Sequence, residues 1–259
     1  MKYTTYLFDF DYTLADSSRG IVICFRNVLE RHGHTGISDE AIKRTIGKTL
    51  EDSFSLLSGI TAPETLAEYK KEYVKEADTY MTVNTFFFPE TVTVLKTLKS
   101  QGAQIGIIST KFRFRIREMV DQHFPKDFFD IIIGGEDVKQ AKPDPQGIKK
   151  ALRRLHRQKN ETLYIGDSTV DAETAQAAKV DFVGVLNGMT TREELIVYPH
   201  RQILDNLSLL PLIHKFTPYE PDKHFPEKFF YSSYFPQKIV AFYKPVSYTH
   251  LRAHETRHD

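Results

Sequence analysis

The stretch that decides the fold is YLFDFDYTLADS, at residues 6–17. Its apolar first half predicts a buried strand over residues 3–8, and Asp9 and Asp11 follow at alternate positions. Alternate residues of an extended chain point the same way. Both carboxylates are therefore expected to face one site at the carboxyl end of the strand, which is the edge where open α/β sheets bind ligands.

The paired carboxylates predict a divalent cation. Two like charges held close together are costly unless a cation or a shared proton relieves them. Mg²⁺ is a hard cation that is commonly held by one or two carboxylates and a substrate phosphate. Taken alone, Asp9 and Asp11 are also compatible with a plain acidic turn after a strand.

Three later segments place polar side chains after apolar strands or before helices: IIST at residues 107–110, AKPDP at 141–145 and GDSTVD at 166–171. Together with DFDYT at residues 9–13, they resemble the four ordered motifs of the haloacid dehalogenase (HAD) superfamily of phosphotransferases. The resemblance extends over residues 3–213 and is greatest to the phosphoglycolate phosphatase and β-phosphoglucomutase branch, which has a helical cap after the first motif.

The resemblance implies a catalytic pair. Asp9 would attack phosphorus and form an aspartyl-phosphate, which splits one difficult displacement into two easier ones. Asp11 would protonate the leaving oxygen and then take a proton from the hydrolytic water, and its backbone carbonyl would face the metal. Tyr12 stands where the family often has glycine, which predicts a different local loop but the same chemistry.

The resemblance also implies a phosphate site. Ser109 and Thr110 would hold phosphoryl oxygens, and Lys142 would offset the charge of the nucleophile and the phosphate. A serine after a strand is otherwise a turn former, and a lysine is commonly a solvated surface charge. The turn KPDP at residues 142–145, just before a predicted helix, favours the functional interpretation.

The resemblance also implies the metal ligands, which are Asp9, Asp11, Asp167 and Asp171 around Mg²⁺. Asp171 would act through water or by orienting Lys142. Acids at the start of a helix are also common simple caps, but the preceding strand favours metal binding. The segment IGKT at residues 46–49 lies between two predicted cap helices and resembles the substrate-specificity loop of the family, which implies Lys48 as a specificity residue, with Thr13 as a second candidate.

The chain order predicts a doubly wound parallel α/β sheet, because strands alternate with helices from residue 88 onward. Residues 1–15 and 83–213 are assigned to this Rossmann-like core, and residues 16–82 to an inserted all-helical cap. Residues 214–246 form a tail rich in proline and aromatic residues, with no assigned fold. Residues 247–259 resemble a translated sequencing-library adaptor and are set aside as non-native.

The composition and net charge limit the classes of partner that the chain is expected to bind. The chain has 259 residues, 41% hydrophobic and 27% charged, with a net charge of +1. Nucleic acids and anionic membranes bind clustered basic charge, so neither is predicted as a partner. The single cysteine, Cys24, forms no internal disulfide and is expected to be a buried apolar residue. No cleavable leader is apparent, so a cytoplasmic protein is expected.

The expected function is hydrolysis of a small phosphorylated metabolite with Mg²⁺. Two alternatives remain open. One is a sugar phosphomutase resembling β-phosphoglucomutase, and the other is a non-catalytic HAD-like module that binds a partner through the aromatic tail. The oligomeric state, monomer or dimer, is left open.

Overall fold

The computed structural model describes residues 3–215, which form eight β-strands and nine α-helices. The strands are β1 (Thr5–Phe8), β2 (Ala15–Asp16), β3 (Phe86–Phe87), β4 (Gln104–Ile108), β5 (Ile131–Ile133), β6 (Thr162–Gly166), β7 (Asp181–Val185) and β8 (Gln202–Leu204). The helices are α1 (Ser18–Arg31), α2 (Asp39–Lys43), α3 (Leu50–Ser58), α4 (Pro63–Tyr80), α5 (Thr91–Ser100), α6 (Arg113–His123), α7 (Gln146–Leu155), α8 (Thr169–Ala178) and α9 (Arg192–Ile196). Apart from residues 214 and 215, the predicted tail at 214–246 and the adaptor-like segment at 247–259 lie outside the described residues.

Six strands form one parallel sheet in the order β5-β4-β1-β6-β7-β8. Strand β1 lies near the centre, with Phe8 opposite Ile107 of β4 on one side and Ile165 of β6 on the other. The residues that follow these three strands therefore meet at one edge of the sheet. The predicted doubly wound α/β core is confirmed.

Both faces of the sheet are covered because side chains alternate along each strand. On β1, Tyr6 and Phe8 point to one face and Leu7 points to the other. The first face packs against α5 and α6, and the second against α7 and α8. Burial on both faces explains the nearly continuous apolar strands of the sequence.

The helices α1–α4 form a separate apolar cluster between β2 and β3, which confirms the predicted helical insert. Phe25, Phe54 and Tyr73 pack in its centre, and Cys24 is fully buried there, as expected. Two of the helices begin where the sequence offers a cap, at Ser38 and Thr49. The exact core and cap boundaries, at residues 15 and 83, stay predictions. No helix in the described range is long and apolar enough to cross a bilayer.

The two chain crossings between core and insert form a small antiparallel hairpin that the sequence does not predict. Ala15 pairs with Phe87 and Asp16 with Phe86. Strands of two residues are too short to show an alternating pattern, so periodicity cannot detect them. The hairpin lies immediately beside the loop that carries Asp9 and Asp11.

Candidate active site

The candidate site lies where β1, β4 and β6 end. Asp9 follows β1, Ser109 follows β4, and Asp167 follows β6. The carboxylates of Asp9, Asp167 and Asp171 each offer an oxygen, and these three oxygens lie within 4.8 Å of one another. Three of the four predicted metal ligands therefore share one position through their side chains.

Asp9 is buried, and its Oδ1 accepts no hydrogen bond of good geometry from the described residues. Lys142 Nζ lies 3.0 Å from this oxygen as an ion-pair contact. Burial raises the pKa of Asp9 to about 7, and the charges of Asp171 and Asp11 add to the increase while Lys142 opposes it. A buried carboxylate oxygen that accepts no hydrogen bond and has one ion-pair contact retains the capacity to bind a further cation.

Lys142 lies in the loop before α7, with its ammonium between two carboxylates. Its Nζ is 2.6 Å from Asp171 Oδ1 and 3.0 Å from Asp9 Oδ1. Burial by itself lowers the pKa of Lys142, but the charges of Asp171 and Asp9 outweigh burial and raise it well above its ordinary value. The lysine therefore holds a positive charge beside Asp9, and its predicted role at the phosphate stays a prediction.

Asp171 is held by three neighbours. Besides Lys142, its Oδ1 accepts a hydrogen bond from the Tyr164 hydroxyl at 3.0 Å, and its Oδ2 accepts one from Ser168 Oγ at 2.6 Å. Ser168 in turn caps α8. Both oxygens are thus engaged inside the protein, which favours the predicted role of orienting Lys142. The sequence interpretation missed Tyr164 because an apolar strand gives no sign of which tyrosine hydroxyl reaches a site.

Asp167 is buried beside the nucleophile. Its Oδ1 accepts a hydrogen bond from Thr13 Oγ1 at 3.1 Å. Burial, followed by the charges of Asp171 and Asp9, raises the pKa of Asp167 well above its usual value. Thr13, suggested from the sequence as a specificity residue, therefore has a hydroxyl that is committed to orienting Asp167.

Asp11 points to a different set of partners from those of Asp9. Its Oδ1 accepts hydrogen bonds from Ser17 Oγ at 2.5 Å and from Lys111 Nζ at 2.9 Å. Its side chain is not part of the three-carboxylate cluster. The family resemblance expects its backbone carbonyl at the metal, and that expectation stays a prediction.

Lys111 is a site residue that the sequence interpretation missed. It follows the predicted phosphate residues directly, and this position was the available signal. Its side chain is only 9% exposed, and its ammonium lies 5.7 Å above the centre of the Phe10 ring. It also contacts Met81, at the end of the helical insert, with 3.5 Å between Nζ and Sδ.

Tyr12 adopts the left-handed backbone conformation that glycine favours, with φ of +59°. This conformation gives the physical reason why glycine is often found at this position. The Tyr12 side chain is buried, and burial raises the pKa of its hydroxyl to about 12. The local loop therefore differs from a glycine-containing one in that the buried Tyr12 side chain packs beside the acid cluster.

The remaining predicted residues lie after β4 and on the insert loop between α2 and α3. Ser109 is buried, and its Oγ accepts a hydrogen bond from the backbone N–H of Lys111 at 3.3 Å. Thr110 Oγ1 donates to the carbonyl oxygen of Gly47 in the insert at 3.3 Å. Lys48 is exposed on the same loop, and the described part of the chain gives its side chain no hydrogen bond or ion pair with the other site residues. Its specificity role stays a prediction.

The donor set fits a hard divalent cation. It consists of carboxylate oxygens, one of which accepts no hydrogen bond, with no thiol or imidazole among the clustered ligands. Oxygen ligands of this kind are those that Mg²⁺ takes, whereas zinc and copper sites commonly include nitrogen or sulfur ligands. The three buried carboxylates therefore constitute a candidate metal site.

Comparison with known proteins agrees with this fold. The model of the haloacid dehalogenase-like hydrolase family matches residues 6–185. The pyrophosphatase PpaX of Bacillus mycoides is 31% identical over 221 residues, which cover 82% of this chain and 98% of PpaX. The crystal structure of a haloacid dehalogenase-like hydrolase from Bacteroides fragilis superposes with a TM-score of 0.80 at 62% identity, covering 81% of this chain and 100% of that chain.

A predicted phosphoglycolate phosphatase from Haemophilus somnus superposes with a TM-score of 0.75, covering 83% of this chain and 99% of that chain. Its 17% identity supports the fold alone. The α/β core with its buried acid cluster and helical insert is the architecture of a capped hydrolase. The chain belongs to the haloacid dehalogenase-like hydrolase family, which confirms the resemblance found in the sequence.

Proposed function

We propose that the chain is a Mg²⁺-dependent phosphatase that hydrolyses a small phosphorylated metabolite through an aspartyl-phosphate on Asp9. One observation carries the proposal. The carboxylates of Asp9, Asp167 and Asp171 share one buried position, and the Asp9 oxygen beside Lys142 has no hydrogen-bond partner in the described chain.

The acid cluster supports Mg²⁺ as the cofactor. Asp9 and Asp167 would hold the ion with their side chains, Asp11 through its backbone carbonyl, and Asp171 by fixing Lys142. When bound, Mg²⁺ neutralises negative charge on the phosphoryl group and on the carboxylates. The raised pKa values of Asp9 and Asp167 mark the charge that such an ion would relieve.

The side chains divide the reaction between them. Asp9 attacks phosphorus, so that a new P–O bond forms as the bond to the leaving oxygen breaks. Asp11 gives its proton to the leaving oxygen. It then takes a proton from the water that attacks phosphorus, and the P–O bond to Asp9 breaks, which releases phosphate and frees the Asp9 carboxylate. Lys142 stays charged throughout and offsets the negative charge that builds up beside Asp9. Ser109 and Thr110 lie at the end of β4, where they would hold phosphoryl oxygens.

The proposal is tested with an Asp9→Asn variant on p-nitrophenyl phosphate, with Mg²⁺ and with excess chelator. The expected result is loss of at least a thousandfold in kcat, because the amide cannot act as the nucleophile. Asp121→Asn is the matched control, since Asp121 is an exposed acid on α6. Full activity of Asp9→Asn, or full wild-type activity in chelator, would overturn the mechanism.

Two further measurements separate the candidate substrates. Inorganic pyrophosphate is a second candidate, because PpaX, at 31% identity, is named a pyrophosphatase. A panel of small phosphate esters with pyrophosphate included ranks the substrates by kcat/KM. Phosphorus NMR of the products separates hydrolysis, which releases free phosphate, from the phosphomutase alternative, which yields an isomerised sugar phosphate.

A further inference from the structure

We propose that the outer face of α7 binds a small ligand that has several phosphate groups. The site is an open groove of about 1080 Å³ between α7, the loop before it and the turn after it. None of the residues assigned to the phosphatase reaction lines this groove. The inference therefore goes beyond the proposed function and does not depend on it.

The positive charge of this surface is concentrated in one stretch of the chain. Residues 146–160 contain six lysines and arginines and no aspartate or glutamate. The whole chain has 35 basic and 34 acidic residues, so its net charge of +1 conceals this local excess. Asp144 and Glu161 border the stretch on its two sides. The positive charge is therefore confined to one helix and the turn that follows it.

The helix and the turn bring four cations to the same groove. Lys149 and Arg153 are four residues apart on α7, so they are neighbours on the helix surface. His156 ends the helix in the left-handed conformation, with φ of +54°. Arg157 and Lys159 follow in the turn, and their side chains line the groove together with those of Lys149 and Arg153. The groove thus collects cations from two segments of the chain.

Most of these cations have no counter-charge in the protein. Lys149, Arg153 and Lys159 are exposed, and across residues 3–215 their side chains form no ion pair or hydrogen bond. Arg157 alone among the four has partners, since its Nε donates to Gln104 Oε1 at 2.6 Å and its Nη1 lies 4.0 Å from Glu161. Clustered charge of one sign in a concave surface attracts ions of the opposite sign.

The dipole of α7 explains only part of this charge. Cations in the last turn of a helix are stabilised by the partial negative charge there, and Arg153 and Arg154 lie in that turn. Lys149 lies earlier in the helix, and Arg157 and Lys159 lie beyond its end. Three of the four cations of the groove therefore have no such structural explanation.

The other polar residues of the groove favour phosphate as the ligand group. Four of them have amide side chains, namely Gln140, Gln146, Gln158 and Asn160. Gln146 Oε1 accepts hydrogen bonds from the backbone N–H groups of Lys139 and Gln140, so its NH₂ group remains to donate to a ligand. Phosphate oxygens accept from amide, ammonium and guanidinium groups alike, and bonds from the charged donors are the stronger ones.

The size and the lining of the groove favour a small ligand over a nucleic acid. The ten residues of α7 span about 15 Å, and acidic residues border the cations on both sides. Among the described residues, no phenylalanine or tyrosine lines the groove, so unpaired bases would have no ring on which to stack. The groove can therefore recognise phosphate groups but offers little to bases.

The test measures binding of inorganic tripolyphosphate to the full chain by calorimetry. No Mg²⁺ is added, so that the probe is not hydrolysed, and the salt concentration is about 0.15 M to screen weak attraction. A double variant, Arg153→Gln with Lys159→Gln, should raise Kd about tenfold or more, because two charged contacts are lost. The matched control is Lys71→Gln with Lys75→Gln, which removes two exposed charges from α4 and should leave Kd unchanged.

Two further probes test the chemical class of the ligand. Citrate is a small anion that has three carboxylates and no phosphate, and the wild-type protein should bind it about tenfold or more weakly than tripolyphosphate. A single-stranded oligonucleotide should also bind more weakly than tripolyphosphate. Thermal unfolding of the double variant should match that of the wild-type protein, since both substituted side chains are exposed.

The possible results separate the alternatives. An unchanged Kd in the double variant, or an equal change in the α4 control, overturns the inference because the groove then has no specific part in binding. Equal affinity for citrate also overturns it, since the surface would attract any anion. Tighter binding of the oligonucleotide, lost in the double variant, would assign the groove to nucleic acid instead. Failure of p-nitrophenyl phosphate hydrolysis would overturn the proposed function and leave this inference untouched.

Discussion

Lys142 and Asp171 form the shortest ion pair of the candidate site, with 2.6 Å between Nζ and Oδ1, and both side chains are almost fully buried. Asp171 is also fixed by Tyr164 and by the cap of α8. Because Asp171 is held at the start of α8, its ion pair fixes the position of the Lys142 ammonium next to Asp9. Through Lys142, Asp171 of the segment GDSTVD is connected to Asp9 of the segment DFDYT.

Replacing Lys142 with methionine should remove that charge while keeping the side-chain volume. We expect kcat/KM to fall by at least about a hundredfold, because charge next to the nucleophile is no longer offset. The free energy of unfolding should fall by about 3 kcal/mol, since two buried carboxylates lose their cation. Urea unfolding and steady-state kinetics measure both. Lys139→Met, at an exposed position three residues away, should change neither; wild-type kinetics in Lys142→Met would contradict the assignment.

Gly188 lies so close to Asp167 that a side chain there must displace it. A Cβ added at Gly188 would overlap Asp167 Oδ2 and would lie 3.1 Å from Tyr12 Cβ. We expect Gly188→Ala to weaken Mg²⁺ activation about tenfold or more, as is typical when the support of a metal ligand is disturbed. Magnesium titrations of activity and calorimetry measure it.

Gly102→Ala is the control for Gly188→Ala. Gly102 has φ of +83° and open space around it. Its alanine variant should lose about 1 kcal/mol of stability through backbone strain and keep its Mg²⁺ affinity. If the two variants respond alike to Mg²⁺, the contact between Gly188 and Asp167 has no functional weight.

The raised pKa of Asp9 predicts a pH-dependent stability that Mg²⁺ should abolish. The pKa is about 7 in the folded protein without metal, against about 3.9 for an unfolded aspartate. Between these values the folded state binds more protons, so the free energy of unfolding should decrease as pH rises from about 4 to about 7. Thermal unfolding across this range, with and without Mg²⁺, is the measurement.

Two comparisons support the assignment to Asp9. Saturating Mg²⁺ should flatten the decrease, because a bound cation favours the ionised carboxylate. Asp9→Asn should reduce the decrease without Mg²⁺ and leave the part that the raised pKa of Asp167 contributes. A slope in the metal-free protein that is unchanged in Asp9→Asn would assign the effect to other groups.

Cys24 should be inert in the folded protein. Burial, with a smaller contribution from Glu76, raises the pKa of its thiol to about 12, compared with about 8.5 in an unfolded chain. At pH 8 we expect a disulfide reagent to modify Cys24 only after urea unfolds the helical insert. Because the unfolded thiol ionises first, Cys24 should also lower stability as pH rises above about 8.5. Rapid labelling without urea would show that the insert opens readily, and Cys24→Ser controls for the labelling site.

The positions of the central site residues were predictable because the spacing of residues along a strand determines which way their side chains point. Asp9 and Asp167 follow apolar runs, and parallel neighbouring strands bring the ends of such runs together. The starts of α2 and α3 were equally predictable, since Ser38 and Thr49 are typical N-cap residues. These inferences depend on local rules that the folded chain obeys.

Other features depend on contacts between distant segments, which local rules cannot supply. Lys111 contacts Asp11 and Ser17, which lie about a hundred residues earlier in the chain, so no sequence spacing predicts these contacts. Tyr164 reads as an ordinary strand residue until the Lys142 loop packs against it. The hairpin of β2 and β3 depends on where the insert returns to the core, which is a property of the whole fold.

The pairing of β2 with β3 brings the two ends of the helical insert together. The chain leaves the core at Ala15 and returns at Phe87, and these two residues are paired neighbours. A different set of helices could be spliced between the same two points without lengthening any core loop or breaking any strand of the large sheet. The length and number of the inserted helices are thus independent of the strand order of the large sheet.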